Sequence, residues 1–299
     1  MRVTCTPLGM FHIKDELEGL FPNLILNFTK GIVEKSKTEE LLMNEKYVVI
    51  GSETLGADFL NKTKLKMIVR FGGSLENIDL DAAKKNNIKV INYKSATVSN
   101  EVANLTVGFV IDAAYSCARL ILANKSGEWR RPMVQGSNAC ISVFGSGQIG
   151  KLVTKKLENI GFTYVNNISM QKILSTDNYY NDLEKVFIDS DIVVLNSSYL
   201  SWDKSAFNKL LANSDNISLV NTARGNLLNE STILECLNNG SLKNYYSDVT
   251  SSEPPNNHSQ SLISHKNAYI TPHIGGYSKK SLIEVGTGVL EYFTRDLND

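Results

Sequence analysis

The stretch ISVFGSGQIGKLVTKKLENIGFTYVNNIS, Ile141 to Ser169, decides the fold. ISVF is a short apolar run that reads as a buried strand. KLVTKKLENI reads as a helix, because Ile149, Leu152, Val153, Leu157 and Ile160 recur at helical spacing. Between them, Gly145-Ser146-Gly147-Gln148-Ile149-Gly150 carries the G-x-G-x-x-G spacing of a dinucleotide-binding turn. Gly145 permits the tight turn, Gly147 lets the backbone approach a pyrophosphate, and Gly150 lets helix and strand pack closely. The helix N-terminus offers free N–H groups and a positive dipole end to the phosphates. The second strand, FTYVNNI, departs from the pattern. An acidic residue is expected about twenty residues on, to bind the ribose hydroxyls. Ile168 stands there, followed by Ser169 and Lys172. Isoleucine accepts no hydrogen bond, and losing the acid removes repulsion against a 2′-phosphate, which Ser169 and Lys172 can contact. The expected cofactor is NAD or NADP, leaning to NADP or to use of both.

Outward from this unit the alternation continues. DIVVLNSS from Asp191, ISLVNTA from Ile217, YYSDVT from Tyr245 and AYITPHIGG from Ala268 read as further strands. With intervening helices they predict a doubly wound, Rossmann-type parallel sheet. On the N-terminal side, YVVIGS at Tyr47, KMIVRFGG at Lys66 and IKVINY at Ile88 also read as buried strands. Asn77-Ile78-Asp79 precedes LDAAKKNN as an Asx cap for a short helix. A long helix is expected from Asn100 to about Asn124, where KSGEWRRP breaks it.

At 299 residues the chain is long enough for two domains. Thirty-one basic and 31 acidic side chains cancel, so no global field draws the protein to nucleic acid or an anionic membrane. Cys5, Cys117, Cys140 and Cys236 form no CxxC pair, as in a reducing compartment without a disulfide framework. His12, His258, His265 and His273 lack zinc-ligand spacing, and no metal is expected. The longest apolar stretch, VANLTVGFVIDAAYSCARLILA, carries Asp112 and Arg119, which argues for a buried or interface helix over a membrane span. The N-terminus turns polar too early for a secretory signal, and the expected location is cytoplasmic.

Three later stretches bear chemistry. Arg224 follows a predicted strand in VNTARGNLL, Glu253 lies five residues beyond Asp248 in SDVTSSEPP, and His273 follows a proline in AYITPHIGG. In open α/β sheets, ligands bind beyond the carboxyl ends of strands, where all three can converge. Reducing a 2-keto acid requires a cation for the carboxylate, a hydride donor and an acid for the developing alkoxide. Arg224 suits the carboxylate through its planar, permanently charged fork. His273 suits the proton transfer because its ordinary pKa lies near neutrality. Glu253 can orient the imidazole and favour its protonated form.

These residues, with VRFGGSLENIDLDAAKKNNIKVIN, EVANLTVGF, GSGQIG, NTARGNLLNESTILECLNNG, DVTSSEPP and TPHIGG, make the chain resemble the D-isomer-specific 2-hydroxyacid dehydrogenases. That resemblance implies a Rossmann domain over 95–275 inserted into a flavodoxin-like α/β substrate domain formed by 1–94 and 276–299. It implies a homodimer and a small 2-keto or 2-hydroxy acid as substrate. Catalytic roles fall on Arg224, Glu253 and His273. Cofactor contacts fall on Gly145, Gly147, Gln148, Ile149, Gly150, Ile168, Ser169, Ser197, Thr222, Ala223, Asp248, Gly275 and Gly276, with Asp248 taking the nicotinamide carboxamide. Backbone amides of Gly72, Gly73 and Ser74 take the substrate carboxylate.

The chain departs from the family pattern in reading Ser74 for a glycine, Val102-Ala103-Asn104 for Val-Ala-Glu, and Asn196-Ser197-Ser198 for His-x-Pro. The segment 171–191 looks short, and no C-terminal regulatory extension is read. Arg70, Arg130 and Arg131 are conceivable contributors to a phosphate pocket. Relatives on this fold include dinucleotide-responsive corepressors, so a regulatory or binding protein with little turnover is the alternative reading.

Overall fold

The computed structural model describes residues 1–30, 35–129, 134–169, 172, 179–197 and 204–296. The chain divides into two compact units, Met1–Val98 with Gly276–Asp299, and Ser99–Gly275.

The first unit holds β1 (Arg2–Cys5), β2 (Ile25–Phe28), β3 (Tyr47–Ile50), β4 (Met67–Arg70) and β5 (Lys89–Asn92), in the order β2-β1-β3-β4-β5. All pairings are parallel, and this is the flavodoxin-like order. Its inner strands β1, β3 and β4 are largely buried on both faces. Val49 joins Val3, Met10 and Leu17 against Val289 and Phe293 of the last helix, Lys279–Asp296. Val48 and Ile50 point the other way, among Leu55, Leu60, Ile68 and Ala83. Double burial explains why YVVI reads as an unbroken apolar run. As expected, Asp79 caps the helix Leu80–Lys85, its Oδ1 accepting from the Ala82 N–H at 2.9 Å.

Two strands escaped the sequence reading. β1 is the second strand in from the edge, with Val3, Thr4 and Cys5 fully buried, yet RVTC breaks its apolar run with a threonine. β2 is an edge strand whose Ile25 is exposed, so its pattern carries little burial signal.

The second unit holds β6 (Cys140–Phe144), β7 (Tyr164–Ile168), β8 (Ile192–Leu195), β9 (Ile217–Asn221), β10 (Leu242–Ser247) and β11 (Ala268–Ile270). Their order is β11-β10-β9-β8-β6-β7, and every pairing is parallel. Chain direction across the sheet therefore reverses at β6, which pairs with β7 on one side and β8 on the other. A ligand crevice is expected beyond the carboxyl ends of strands at such a point. All six strands fall on the strand candidates read from the sequence.

The long helix is a correction. The run expected from Asn100 to Asn124 is two helices, Ala96–Tyr115 and Cys117–Lys125, bent by 59°. Ser116 between them has φ 54°, and Asp112 Oδ1 accepts from the Ala118 N–H at 2.7 Å. A polar residue of the first helix thus caps the second, with no glycine or proline at the break to announce it. Among the described residues, no single helix is long and apolar enough to cross a membrane.

Candidate active site

The glycine turn follows β6 directly. Gly145 has φ 136°, a conformation favouring glycine, and its N–H donates to the Ile168 carbonyl at 2.9 Å. A Cβ there would lie 3.0 Å from the Asn196 carbonyl, at the end of β8. At Gly150 a Cβ would fall 1.7 Å from the Gly145 oxygen, so the helix Gln148–Asn159 seats its first turn on the glycine turn. Gly147 has nothing within 4 Å of its Cβ position, and the helix it precedes has no side-chain cap. Close packing on one side and open backbone N–H groups on the other suit a bound pyrophosphate. Gly150→Ala is therefore expected to cost roughly 1–3 kcal/mol of stability, the usual range for overpacking. NADH affinity is expected to fall about tenfold or more, a loss of about 1.4 kcal/mol. Thermal melts and a fluorescence titration measure both, and unchanged affinity would dissociate this turn from cofactor binding.

The end of β7 splits its side chains between two tasks. Asn167 Nδ2 donates to the Gly145 carbonyl at 3.2 Å and to Thr154 Oγ1 at 3.0 Å, tying strand, turn and helix together. Ile168 packs against the core cluster containing Phe144, Phe187 and Leu195. Ser169 Oγ accepts from the Lys172 N–H at 3.4 Å.

At the ends of β8 and β9 the polar groups form a directed chain. Thr106 Oγ1 donates to the Val102 carbonyl at 2.8 Å and lies 2.8 Å from Thr222 Oγ1. Having spent its hydrogen, Thr106 accepts from Thr222, which accepts in turn from Asn196 Nδ2 at 2.7 Å. Asn196 Oδ1 is buried without a hydrogen-bond partner among the described residues. A ligand group that donates at this acceptor would satisfy it, which fits a dinucleotide beside the glycine turn. Ser197 follows at the same strand end, and its backbone N lies 3.2 Å from the Cβ position of Gly145. Ala223 is buried, and its N–H donates to Asn221 Oδ1 at 3.1 Å.

The three chemistry-bearing residues gather beyond β9, β10 and β11. Asp248, 4% exposed, accepts from Thr271 Oγ1 and the Ile274 N–H through Oδ1, at 2.6 and 2.8 Å. Its Oδ2 accepts from the Gly275 N–H at 2.8 Å. These bonds bracket His273, which has φ 53°, and hold its backbone in a conformation that non-glycine residues seldom adopt. Across the loop, Glu253 Oε2 sits 2.6 Å from His273 Nδ1. Glu253 Oε1 accepts from the Thr250 N–H at 3.3 Å. The carboxylate raises the His273 pKa, chiefly through that hydrogen bond, against the opposing effect of burial; the Asp248 charge adds to the rise and Arg224 opposes it. Arg224 is thus within electrostatic reach of the imidazole. Its carbonyl accepts from Asn221 Nδ2 at 2.9 Å, and its Nη1 donates to the Ala223 carbonyl at 2.7 Å.

The remaining expected site residues, Gly72, Gly73, Ser74 and Gly276, belong to the first unit. Gly72 has φ 133°, and its Cβ position lies 3.0 Å from Arg70 Nη1. Ser74 Oγ accepts from the Glu76 N–H at 3.3 Å, a local turn contact. Arg70 Nε donates to Asn77 Oδ1 at 3.2 Å and its Nη1 to the Phe71 carbonyl, so its guanidinium braces this loop. Arg130, Arg131, Ser198 and, within the segment thought short, residues 171 and 173–178 lie outside the described residues.

Sequence reading missed Asn196 as an acceptor, Thr106 as its distant partner, and Glu230. Glu230 follows the cap residue Asn229 and looks like an ordinary first-turn acid, but it is 5% exposed. Gly225 was missed as well: its Cβ would fall 2.0 Å from the Thr250 carbonyl group.

Residues 107–275, more than half of the chain, match the sequence model of the family described as D-isomer specific 2-hydroxyacid dehydrogenase, NAD binding domain. The chain is 28% identical to hydroxypyruvate reductase of Thermotoga maritima, over 96% of this chain and 97% of the relative. It is 27% identical to D-3-phosphoglycerate dehydrogenase of Bacillus subtilis, covering 92% of this chain and 54% of that longer relative. In fold it resembles D-lactate dehydrogenase from Aquifex aeolicus, crystallised with NAD and lactic acid. The TM-score is 0.82 at 18% identity, covering 100% of this chain and 96% of that one. The chain belongs to the D-isomer specific 2-hydroxyacid dehydrogenase family.

Proposed function

We propose that the protein is an NAD(P)-dependent oxidoreductase interconverting a small 2-keto acid and its D-2-hydroxy acid. The observation that carries this reading is the 2.6 Å pair between His273 Nδ1 and Glu253 Oε2, within electrostatic reach of Arg224. A nicotinamide held here would supply or accept the hydride. With Nδ1 turned to Glu253, the proton is exchanged at Nε2 of His273. In reduction the imidazolium gives that proton to the carbonyl oxygen as it becomes an alkoxide; in oxidation the neutral ring removes it from the hydroxyl. Glu253 fixes the ring's direction and favours its charged form. Arg224 binds the substrate carboxylate and polarises the carbonyl.

The same proposal gives the pyrophosphate to the turn formed by Gly145, Gly147, Gln148, Ile149 and Gly150. It gives the nicotinamide end to Ser197, Thr222, Ala223, Asp248, Gly275 and Gly276, and the adenosine end to Ile168 and Ser169. It assigns the substrate carboxylate to backbone N–H groups of Gly72, Gly73 and Ser74 as well as to Arg224. Because Ile168 turns toward the core and the sequence Asn166-Asn167-Ile168-Ser169 carries no acid, NADPH is expected to bind at least as tightly as NADH. Titration of the purified protein with both, followed by glyoxylate, hydroxypyruvate, pyruvate and longer keto acids, tests this reading. Folded protein that turns over none of them would overturn it. Tight dinucleotide binding with no turnover would favour the regulatory alternative.

The chain also presents Ile111, Tyr115, Ile121, Leu122 and Trp129 as exposed apolar side chains along and just beyond its two bent helices. Apolar surface on this scale suits a subunit contact, and a homodimer is the proposed assembly. A sedimentation mass of one chain would remove it. All four cysteines are free thiols, which supports the proposed cytoplasmic location.

A further inference from the structure

The loop carrying Glu253 has little regular structure to hold it. Between β10 and the helix Asn257–Ile263 it runs through Val249, Thr250, Ser251 and Ser252 before reaching Glu253. Glu253 is a third exposed and His273 about half exposed, so side-chain packing alone does not fix their separation. What anchors the loop lies beneath it. Glu230 opens the helix Glu230–Asn239, six residues after Arg224, and is 5% exposed. Its Oε1 accepts from the Ser251 N–H at 2.7 Å, and its Oε2 accepts from Ser259 Oγ at 2.8 Å. Ser259 is fully buried on the helix that follows the loop. Ser251 Oγ and Ser259 Oγ lie 3.5 Å apart.

A single buried carboxylate therefore clamps the loop's backbone to the helix behind it. Burying a charge this way is expensive unless both oxygens are satisfied, and here they are. Beside this clamp, Gly225 lets the turn after Arg224 meet the Thr250 carbonyl group, where a Cβ would be 2.0 Å away. Thr250 in turn offers its N–H to Glu253. The linkage runs from Glu230 to Ser251 and Thr250, then to Glu253, then to His273 Nδ1.

We propose that Glu230 is a positioning residue for the acid–base pair: it holds residues 249–253 so that Glu253 reaches His273. Its consequence for turnover rests on the dehydrogenase reading; its consequence for His273 does not. Three charged groups bear on the imidazole: Glu253 and Asp248 favour its protonation, and Arg224 opposes it. Asp248 opens the same loop but is held by Thr271, Ile274 and Gly275, so among the three it is Glu253 whose placement depends on Glu230.

The test is an NMR titration of the cofactor-free full chain, labelled at the histidine ring carbons. The His273 signal is assigned by its loss in His273→Asn. Wild type is expected to titrate above an ordinary histidine, and Glu230→Ala to fall back toward one. Glu230→Gln is expected to stay with wild type. Its amide oxygen accepts from the Ser251 N–H, and its NH2 donates to Ser259 Oγ, which can accept as well as donate. If turnover is present, kcat for reduction falls about tenfold in Glu230→Ala with KM little changed, and the glutamine variant recovers it.

A His273 titration in Glu230→Ala that matches wild type would overturn the proposal, whatever happens to the melting temperature. Should that variant not fold, Ser259→Ala removes one arm of the clamp and is expected to move the titration less, in the same direction. No movement there overturns the proposal equally. Absence of turnover in wild type would sink the dehydrogenase reading while leaving the titration to decide on Glu230.

Discussion

Replacing His273 by alanine is expected to lower kcat for keto-acid reduction by about 10²- to 10⁴-fold, the range of a positioned general acid. KM is expected to change little, because the lost interaction is made with charge that develops only in the transition state. The pH dependence sharpens this result. On the proposed mechanism reduction draws on the imidazolium, so its rate is expected to decline as pH rises through the His273 pKa in the folded protein. That pKa is raised by the hydrogen bond that His273 Nδ1–H donates to Glu253, so the reductive limb is expected to extend to higher pH than a free histidine would allow. Oxidation, drawing on the neutral ring in that mechanism, is expected to rise over the same interval.

Glu253→Gln removes the main cause of the shift, so both limbs are expected to move to lower pH. The associated stability contribution has the same sign. It is fully present below the unfolded-state pKa of histidine and is lost as pH rises through the folded one. With the ring about half exposed, that contribution is small. Steady-state rates in both directions across pH measure all of this. A kcat unchanged in His273→Ala would remove the residue from proton transfer.

Arg224→Gln is expected to lower kcat/KM by roughly 30- to 4000-fold, matching the 2–5 kcal/mol typical of removing one partner of a buried charge pair. Arg224→Lys is expected to recover only part of the loss, since an ammonium cannot reproduce the bidentate fork. A second effect has the opposite sign from that of Glu253→Gln. Arg224 opposes protonation of His273, so its removal is expected to raise the imidazole pKa further. The two variants should thus shift the pH profile in opposite directions while both lose rate. Equal shifts would mean that the three groups do not share a site.

Much of this arrangement was legible because it depends on local pattern. Strand and helix alternate in the sequence, and GSGQIG lies where strand gives way to helix. Both features follow from period and spacing alone. The bend at Ser116 was not legible, since Asp112 makes it by capping from within the preceding helix. β1 was missed because its burial comes from its position in the sheet, not from an apolar run. At the site, Arg224, Glu253 and His273 carry chemistry that names itself. Asn196, Thr106 and Glu230 do not, because their partners lie 26, 116 and 21 residues away, where no local spacing relates them. Ile168 was read as a missing acid; in the structure it is also a core residue, while Asn167 does the polar work of the strand end.

The approach of Gly225 to Thr250 is a contact between backbones, so no side chain can adjust to a change in either. An inserted or deleted residue in one loop would have to be matched in the other. For anyone building chimaeras or grafting substrate-specificity loops between relatives, residues 224–230 and 248–259 form one exchangeable module. Moving either segment alone is expected to yield folded protein with its reactive groups out of register.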